Sequence, residues 1–212
     1  DLPEPYILLD LQGTPEDIIK SERNMSHMLI EEFMIAANEA VSSHLETLGV
    51  PSLYRVHEEP DTDKLGELMP IFKAFGLKTK NTGVKAFHSI LQEVKGTEEE
   101  SLLNMLLLRS LKQAKYSEKN IGHFGLASKS YTHFTSPIRR YPDLMVHRLL
   151  THYLEQGESK NAETYEKRCQ HASEMERRAV DAERASTKYK QVEFMQDKVG
   201  KIFDGVVSGL TD

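Results

Sequence analysis

Apolar residues recur every three to four positions over long stretches of the chain, and this spacing predicts a mainly helical protein. Two shorter apolar runs, Tyr6–Asp10 and Leu53–His57, are typical of strands because turn residues or a proline bound them. The expected fold class is therefore mainly α with a few short strands (α/β). The stretches with helical spacing are 25–48, 63–75, 84–94, 98–115, 137–154 and 161–198.

The stretch 25–48 differs from the other helices because apolar residues surround most of its circumference near the middle. They form two adjacent stripes, Leu29, Phe33, Ala36 and Ala40, and Ile30, Met34, Ala37 and Val41. A helix that is apolar most of the way round is normally buried, so we expect a buried helix here. Glu31 and Asn38 are polar exceptions, and their separation of seven residues places them on one face.

The pattern changes near the end of the chain. Residues 199–212 are rich in glycine and valine, which predicts a strand and a turn. A single strand cannot bury its own face. We therefore expect one domain over 1–198 and the truncated start of another over 199–212.

Composition narrows the class of protein. The 212 residues are 39% hydrophobic and 28% charged, which is ordinary for a globular protein. No apolar run approaches the roughly 18 residues of a membrane-spanning helix, so no membrane partner is expected. Cys169 is the single cysteine, which excludes an internal disulfide and a cysteine metal cluster and is compatible with the cytoplasm.

The distribution of charge is uneven. The window from Leu106 to Arg148 holds eight Lys or Arg and two acidic residues, whereas the whole chain has a net charge of −6. A basic segment within an acidic chain can bind phosphate groups. It can equally be a solvated, lysine-rich helix face, and charge alone leaves both interpretations open.

The same window contains the most distinctive local pattern. Ser136 followed by Pro137 is typical of a helix start, which predicts that Arg139 and Arg140 lie in the first helical turn. The helix dipole disfavours cations there, unless an anion is shared between the arginines and the helix amides. Asp143, four residues after Arg139, is placed to hold its guanidinium. A buried structural network that neutralises both arginines is an equal alternative.

Metal chemistry has little support in this window. Its histidines include no pair with convincing ligand spacing, so no metal ligand is assigned. We expect His147 to have a structural role.

These residues resemble a known family. The sequence HFGLA at 123–127, with Y-x-HFTSPIRRYPDL-x-x-HR from Tyr131 to Arg148, resembles the RNB catalytic domain of the ribonuclease R / ribonuclease II family. The resemblance extends over essentially the whole chain. Its further segments are 27–39, 53–57, 176–179 and 199–209.

The resemblance implies a specific architecture and activity. Residues 1–198 would be the C-terminal part of an RNB domain, and 199–212 the first strand of a following OB-fold RNA-binding domain. The whole enzyme would degrade single-stranded RNA processively from its 3′ end to nucleoside 5′-monophosphates, using Mg²⁺. Its partners would be RNA, the N-terminal half of the RNB domain and the OB-fold domains.

One departure from the family changes what this chain can do alone. RNB enzymes bind magnesium through an aspartate cluster of the D-x-D-D type, and no such run is present; Asp61 and Asp63 lie in a different context. The resemblance therefore implies that the metal ligands lie outside this chain. We expect the isolated chain to be inactive.

The resemblance also implies roles for individual residues. Arg139 matches the arginine that contacts the scissile phosphate. Glu31 matches an acid near the terminal nucleotide, although a buried salt bridge is an equal alternative. Glu183 matches an acid of a late helix that tunes RNA contact, although a solvated helix face is the favoured explanation of this residue. The expected wall residues of the RNA channel are Tyr131, His133 and Arg140.

Two other functions remain open at this stage. A non-catalytic RNA-binding module would keep the channel without hydrolysis. A helical scaffold for protein partners would use the apolar seam from Tyr165 to Val192 and the acidic remainder of the chain. Aspartates in a preceding segment of the protein would favour the enzyme.

Overall fold

In the computed structural model, which describes residues 5–77, 84–97, 99–157 and 163–205, helices dominate and strands are short. The predicted fold class is therefore confirmed. The strands are β1 (Pro5–Leu9), β2 (Pro15–Lys20), β3 (Tyr54–Val56) and β4 (Lys115–Ser117). The helices are α1 (Met25–Thr47), α2 (Thr62–Ala74), α3 (Val84–Glu93), α4 (Glu100–Ser110), α5 (Tyr141–Gln156) and α6 (Glu163–Gln196), with a 3₁₀ turn at Phe124–Leu126.

The chain divides into two compact units, one of residues 1–24 with 176–212 and the other of residues 25–175. In the first unit, β1 and β2 form an antiparallel hairpin. The Asp10 carboxylate closes its turn by accepting hydrogen bonds from the backbone N–H groups of Gln12 and Thr14. β1 and its turn were predicted, but β2 was not, because Ile18 and Ile19 are adjacent and give no alternating pattern.

The second unit contains two apolar clusters. One joins α1, β3, β4, α5 and the start of α6, and the other joins α2, α3 and α4. The first cluster lies beneath the candidate site described below. Its buried members are Leu45, Leu53, Tyr116, Met145, Val146, Leu149, Tyr153, Tyr165 and Cys169.

The prediction that α1 is a buried helix is wrong. The helix itself ends at Thr47, one residue before the predicted end, and its buried residues are Asn38, Ser42 and Leu45. Their spacing of four and three defines a single stripe. Leu29, Ile30 and Phe33 remain 53%, 56% and 63% exposed. The described parts of the chain cover one stripe of α1, and the apolar residues near its N-terminus lie outside that stripe.

The predicted start of α5 at Pro137 is also wrong, because the helix begins at Tyr141. Residues 136–140 form a tight turn in which the N–H groups of Arg139 and Arg140 both donate to the Ser136 carbonyl. Proline suits such a turn as well as it suits a helix start. Pro142, which has no N–H to donate, is the proline that occupies the first turn of the helix.

In the second unit, β3 lies between two neighbouring segments. It pairs antiparallel with β4, which places Arg55 opposite Tyr116. On its other side, the Arg55 N–H donates to the Tyr131 carbonyl at 2.8 Å. The predicted loop or extended segment over 122–134 is therefore held against β3. α4 ends at Ser110 rather than near Lys115, which frees the following residues to form β4.

The structure describes only part of the strand that was predicted at the end of the chain. Residues 197–200 form a turn and 201–205 are irregular, so the described part of the predicted strand is not a strand. Residues 206–212 lie outside the described residues. The domain boundary at 198 and the OB-fold identity of this segment stay predictions.

Candidate functional site

Arg139 lies at the exposed corner of the turn that precedes α5. Its neighbour Ile138 is fully exposed, and Arg139 is exposed as well. Its guanidinium forms no hydrogen bond or ion pair within the described residues. The two backbone hydrogen bonds to Ser136 fix the position from which this side chain extends. The turn therefore presents a cation to solvent on a fixed backbone.

Asp143 holds this turn against α5, and it pairs with Arg140 rather than with Arg139 as the sequence predicted. Its Oδ2 atom accepts from the Arg140 guanidinium and from the Ser136 N–H, each at 2.8 Å. The Asp143 side chain is 0% exposed and that of Arg140 is 26% exposed. The spacing of four residues misled the prediction because Arg139 is not helical. The structural-network alternative thus holds for Arg140 alone, since Asp143 neutralises that arginine and leaves Arg139 exposed, and phosphate binding stays a prediction.

The N-terminus of α5 adds positive potential at the same place. Arg140 is its N-cap residue and provides no side-chain hydrogen bond to the helix amides. A helix N-terminus carries roughly half a positive charge and binds anions for that reason. Arg139 is one residue away along the chain, so the exposed cation and the helix terminus are adjacent.

His133 lies beside these arginines. Its Nδ1 atom is 2.8 Å from the Tyr116 hydroxyl, and the two rings meet edge to face with centroids 5.6 Å apart. Burial and, after it, the positive charges of Arg140 and Arg55 together lower the pKa of His133 to about 3. The imidazole is therefore neutral at physiological pH.

Arg55 and Tyr116 are two members of this site that sequence reasoning missed. They face each other across the β3–β4 pair, and the Arg55 guanidinium lies 4.7 Å from the centroid of the Tyr116 ring. The strand-like run 53–57 contained a signal, because Arg55 interrupts an otherwise apolar stretch. Tyr116 had none, since β4 was not predicted. We call Arg55, Tyr116, His133, Arg139 and Arg140 the arginine–histidine cluster.

Asn38 supports the cluster from α1. Its amide nitrogen donates to the Tyr131 hydroxyl and its amide oxygen accepts from the Phe134 N–H, each at 2.9 Å. Both hydrogen bonds are directed at the segment that carries His133. Tyr131 is buried, and in this structure it supports the cluster from the interior through its hydrogen bond with Asn38. Glu31 is partly buried and lies two turns earlier on the same helix.

α5 supports the same segment through His147. The His147 ring stacks on Phe134 with centroids 3.9 Å apart, and its Nε2 lies 2.8 Å from the Phe134 carbonyl oxygen. Because that carbonyl accepts, Nε2 carries the proton. The structural role predicted for His147 is confirmed by these contacts.

His57 fixes the turn at Phe124–Leu126 next to the cluster. Gly125 donates its N–H to His57 Nδ1 at 2.9 Å, while His57 Nε2 lies 2.6 Å from the Lys112 carbonyl. A Cβ atom at position 125 would lie 2.9 Å from His57 Nδ1, so only glycine allows this approach. The neighbouring His123 has its pKa lowered to about 4, mainly by burial.

Glu183 belongs to the first unit. It is exposed on α6. This position fits a solvated helix face and also leaves the carboxylate accessible to a ligand. Its assignment therefore stays a prediction.

The described residues offer no group of three or more His, Cys, Asp or Glu side chains that could hold a metal ion. The residues that the structure describes thus do not fit a metal centre. Among the helices in the described ranges, none is long and apolar enough to cross a bilayer.

The fold is thus a mainly helical domain in which an exposed arginine, on a hydrogen-bonded turn, lies beside a helix N-terminus. The RNB domain family matches residues 1–156. That match covers most of the chain, and the chain therefore belongs to the RNB domain family.

Its relatives are ribonucleases. The chain is 42% identical to ribonuclease R 1 of Lactococcus lactis over 224 residues, which cover 100% of this chain and 27% of that protein. It is 44% identical to ribonuclease R of Aquifex aeolicus, over 99% of this chain and 31% of that protein. Mycoplasma genitalium RNase R, solved in complex with ribose-methylated single-stranded RNA, matches with a TM-score of 0.90 at 30% identity, over 100% of this chain and 35% of that one. The chain thus spans about a third of these relatives.

Proposed function

We propose that this chain is part of a processive, hydrolytic 3′→5′ exoribonuclease that degrades single-stranded RNA to nucleoside 5′-monophosphates. In this proposal the chain supplies the arginine that contacts the scissile phosphate and part of the wall of the RNA channel. The observation that carries it is the exposed Arg139 on a turn locked by Asp143. Ribonuclease R relatives that align over almost the whole chain support it.

Arg139 acts on the phosphate by charge and by its two-pronged hydrogen-bonding geometry. Its backbone is fixed by the turn, so little reorganisation is needed when negative charge develops on the phosphate oxygens. Preorganised charge of this kind stabilises a transition state most where water is excluded. Arg140 is already paired with Asp143, so it adds positive potential and holds the turn.

The remaining candidates take secondary roles. Tyr131 holds the segment of His133 in place through Asn38. Glu31 lies near the terminal nucleotide of the strand. Glu183 contacts RNA from α6, where its carboxylate is exposed.

Hydrolysis requires groups that the described residues do not offer. Divalent ions such as Mg²⁺ prefer several oxygen ligands in octahedral geometry, and no cluster of that kind occurs in the described ranges. We assign the metal ligands to a part of the protein outside this chain. The chain alone binds RNA and does not hydrolyse it.

The test uses the purified 212-residue chain with a labelled single-stranded oligoadenylate. The expected result is binding that weakens steeply with added salt, because phosphate contacts release counterions. The same mixture with millimolar magnesium should release no nucleoside monophosphates. Absence of binding at low salt would overturn the phosphate site. EDTA-sensitive release of monophosphates would instead show that the chain contains a metal site.

The non-catalytic RNA-binding module differs only in the rest of the protein. It would bind the same oligoadenylate with the same salt dependence. The discriminating observation is the sequence of the remainder of the RNB domain, where the enzyme has metal-binding aspartates and the module has lost them.

A further inference from the structure

We propose that His133 donates a hydrogen bond from its Nε2–H to a backbone oxygen of the bound RNA strand. In the same proposal Tyr116 is the positioning residue that keeps the proton on Nε2. This inference rests on the proposed function, because it places the RNA strand at the arginine–histidine cluster.

The two ring nitrogens of His133 have different surroundings. His133 Nδ1 is occupied by the Tyr116 hydroxyl at 2.8 Å. His133 Nε2 has no hydrogen-bond partner within the described residues, and it is not among the buried polar atoms that lack one. It is therefore reachable from solvent. One nitrogen of the ring is anchored and the other is available.

The surroundings of Tyr116 determine the direction of the Tyr116–His133 hydrogen bond. A neutral imidazole has one N–H and one lone pair, so the role of Nδ1 decides the role of Nε2. The Arg55 guanidinium lies 4.7 Å from the centroid of the Tyr116 ring. A cation at this position polarises the phenol toward donation of its proton. When Tyr116 donates to Nδ1, the imidazole proton must be on Nε2.

The charge state of the His133 ring depends on its burial and on the cations around it. The cations that act on His133 come from two segments, namely Arg55 on β3 and Arg139 and Arg140 on the turn before α5. His123 acts in the same direction from the segment after β4. Together with burial they lower the pKa of His133, so the ring stays neutral near pH 7. His133 thus offers a directional N–H donor where the arginines offer charge.

The neutral His133 ring and the neighbouring arginines together favour a ligand with oxygen acceptors. An N–H group beside exposed arginine charge binds an oxygen acceptor, whereas a lone pair on Nε2 would repel one. In a ribonucleic acid strand, the acceptors nearest to the arginine-bound phosphate are phosphate oxygens and the ribose 2′-hydroxyl. Both belong to the sugar–phosphate backbone, so the contact carries no base preference.

The first experiment determines the tautomer. Nitrogen-15 NMR of the histidine-labelled 212-residue chain distinguishes a protonated ring nitrogen from an unprotonated one, and His133→Gln assigns the signal. We expect His133 to be protonated on Nε2 and unprotonated on Nδ1. In Tyr116→Phe the anchor is lost, so a mixture of tautomers is expected. Protonation of Nδ1 in the unmodified chain would overturn the role of Tyr116.

The second experiment measures binding to labelled oligoadenylate with two variants of the same residue. His133→Gln retains an N–H near the position of Nε2, whereas His133→Phe retains the ring volume and no donor. We expect Phe to weaken binding about tenfold, as for loss of a hydrogen bond to a charged group, and Gln to weaken it less than about threefold. Equal losses in the two variants would overturn the donor role.

Arg139→Ala separates this inference from the proposed function. Weaker binding by Arg139→Ala with unchanged binding by His133→Phe would overturn the inference and leave the phosphate site intact. Failure of the unmodified chain to bind would overturn both. Repeating the His133→Phe measurement on oligodeoxyadenylate identifies the acceptor. A loss that persists on DNA assigns a phosphate oxygen, and a loss confined to RNA assigns the 2′-hydroxyl.

Discussion

At the scale of single residues, Asp143 determines how Arg139 is presented. Its carboxylate is fully buried and joins the Ser136 N–H to the Arg140 guanidinium. Removal of one partner from a buried pair is costly because the other charge remains without compensation. The partial exposure of Arg140 reduces that cost, since water can reach it.

We predict that Asp143→Ala lowers the free energy of unfolding by about 2–4 kcal/mol, at or somewhat below the usual range for a buried pair. Urea denaturation measures this value. Asp197→Ala, at an exposed position, is the matched control and should change stability by less than about 0.5 kcal/mol. Similar small effects of the two substitutions would show that the pair does not hold the turn.

His133 makes stability depend on pH, with a definite sign. Its pKa is lowered to about 3 in the folded chain, mainly by burial, so the fold favours the neutral ring. The unfolded ring titrates near about 6.5. The contribution of this group is therefore fully present above about pH 6.5 and is lost as the pH falls toward the folded value. His123, with a pKa lowered to about 4, acts in the same direction.

We predict that the unmodified chain loses stability between pH 6.5 and 4 more steeply than His133→Gln. The difference in slope should approach one proton, which is about 1.4 kcal/mol per pH unit. Urea denaturation at several pH values in this interval measures both slopes. Parallel curves for the two proteins would indicate that His133 titrates normally in the folded state.

At the scale of elements, the turn at Phe124–Leu126 is packed tightly against His57, the residue after β3, whereas the space around Gly66 in α2 is open. A Cβ at Gly125 would lie 2.9 Å from the His57 ring, and a Cβ at Gly66 would meet nothing within 4 Å. Gly125→Ala should therefore destabilise the chain by about 1–3 kcal/mol. Gly66→Ala should stabilise it by up to about 1 kcal/mol, because alanine favours a helix interior. Thermal unfolding of both variants tests this. A change of melting temperature in the same direction for both variants would contradict the difference in packing.

The elements also show how far sequence pattern predicts this fold. Periodicity predicted α1, α2, α3 and the loop before Phe134 to within a few residues, because their signals are local. It failed at the start of α5, where Pro137 fits a turn as well as a helix. It failed for the burial of α1, since a helical pattern identifies an apolar face and cannot tell which residues cover it.

At the scale of the whole molecule, some residues of the candidate site could be predicted from the sequence and others only from the fold. Arg139 and Arg140 lie in one distinctive segment, so the sequence identified them. Their neighbours Arg55 and Tyr116 come from two strands about 60 residues apart in the chain, and only their pairing brings them to His133. The sequence also predicted the wrong arginine as the partner of Asp143, because that choice depends on where the helix begins.

The central claim is that Arg139 contacts an RNA phosphate, and the salt dependence of binding tests it most directly. The dissociation constant of the chain for single-stranded oligoadenylate should be measured over a range of salt for the unmodified protein, Arg139→Ala and Arg148→Ala. Arg148 is an exposed arginine on α5 in the same basic window, so both substitutions remove one charge. The slope of log K against log salt should fall by about 0.7 for loss of one phosphate contact on a single strand. The account predicts this loss for Arg139→Ala and an unchanged slope for Arg148→Ala. Equal slopes for the two variants would contradict it.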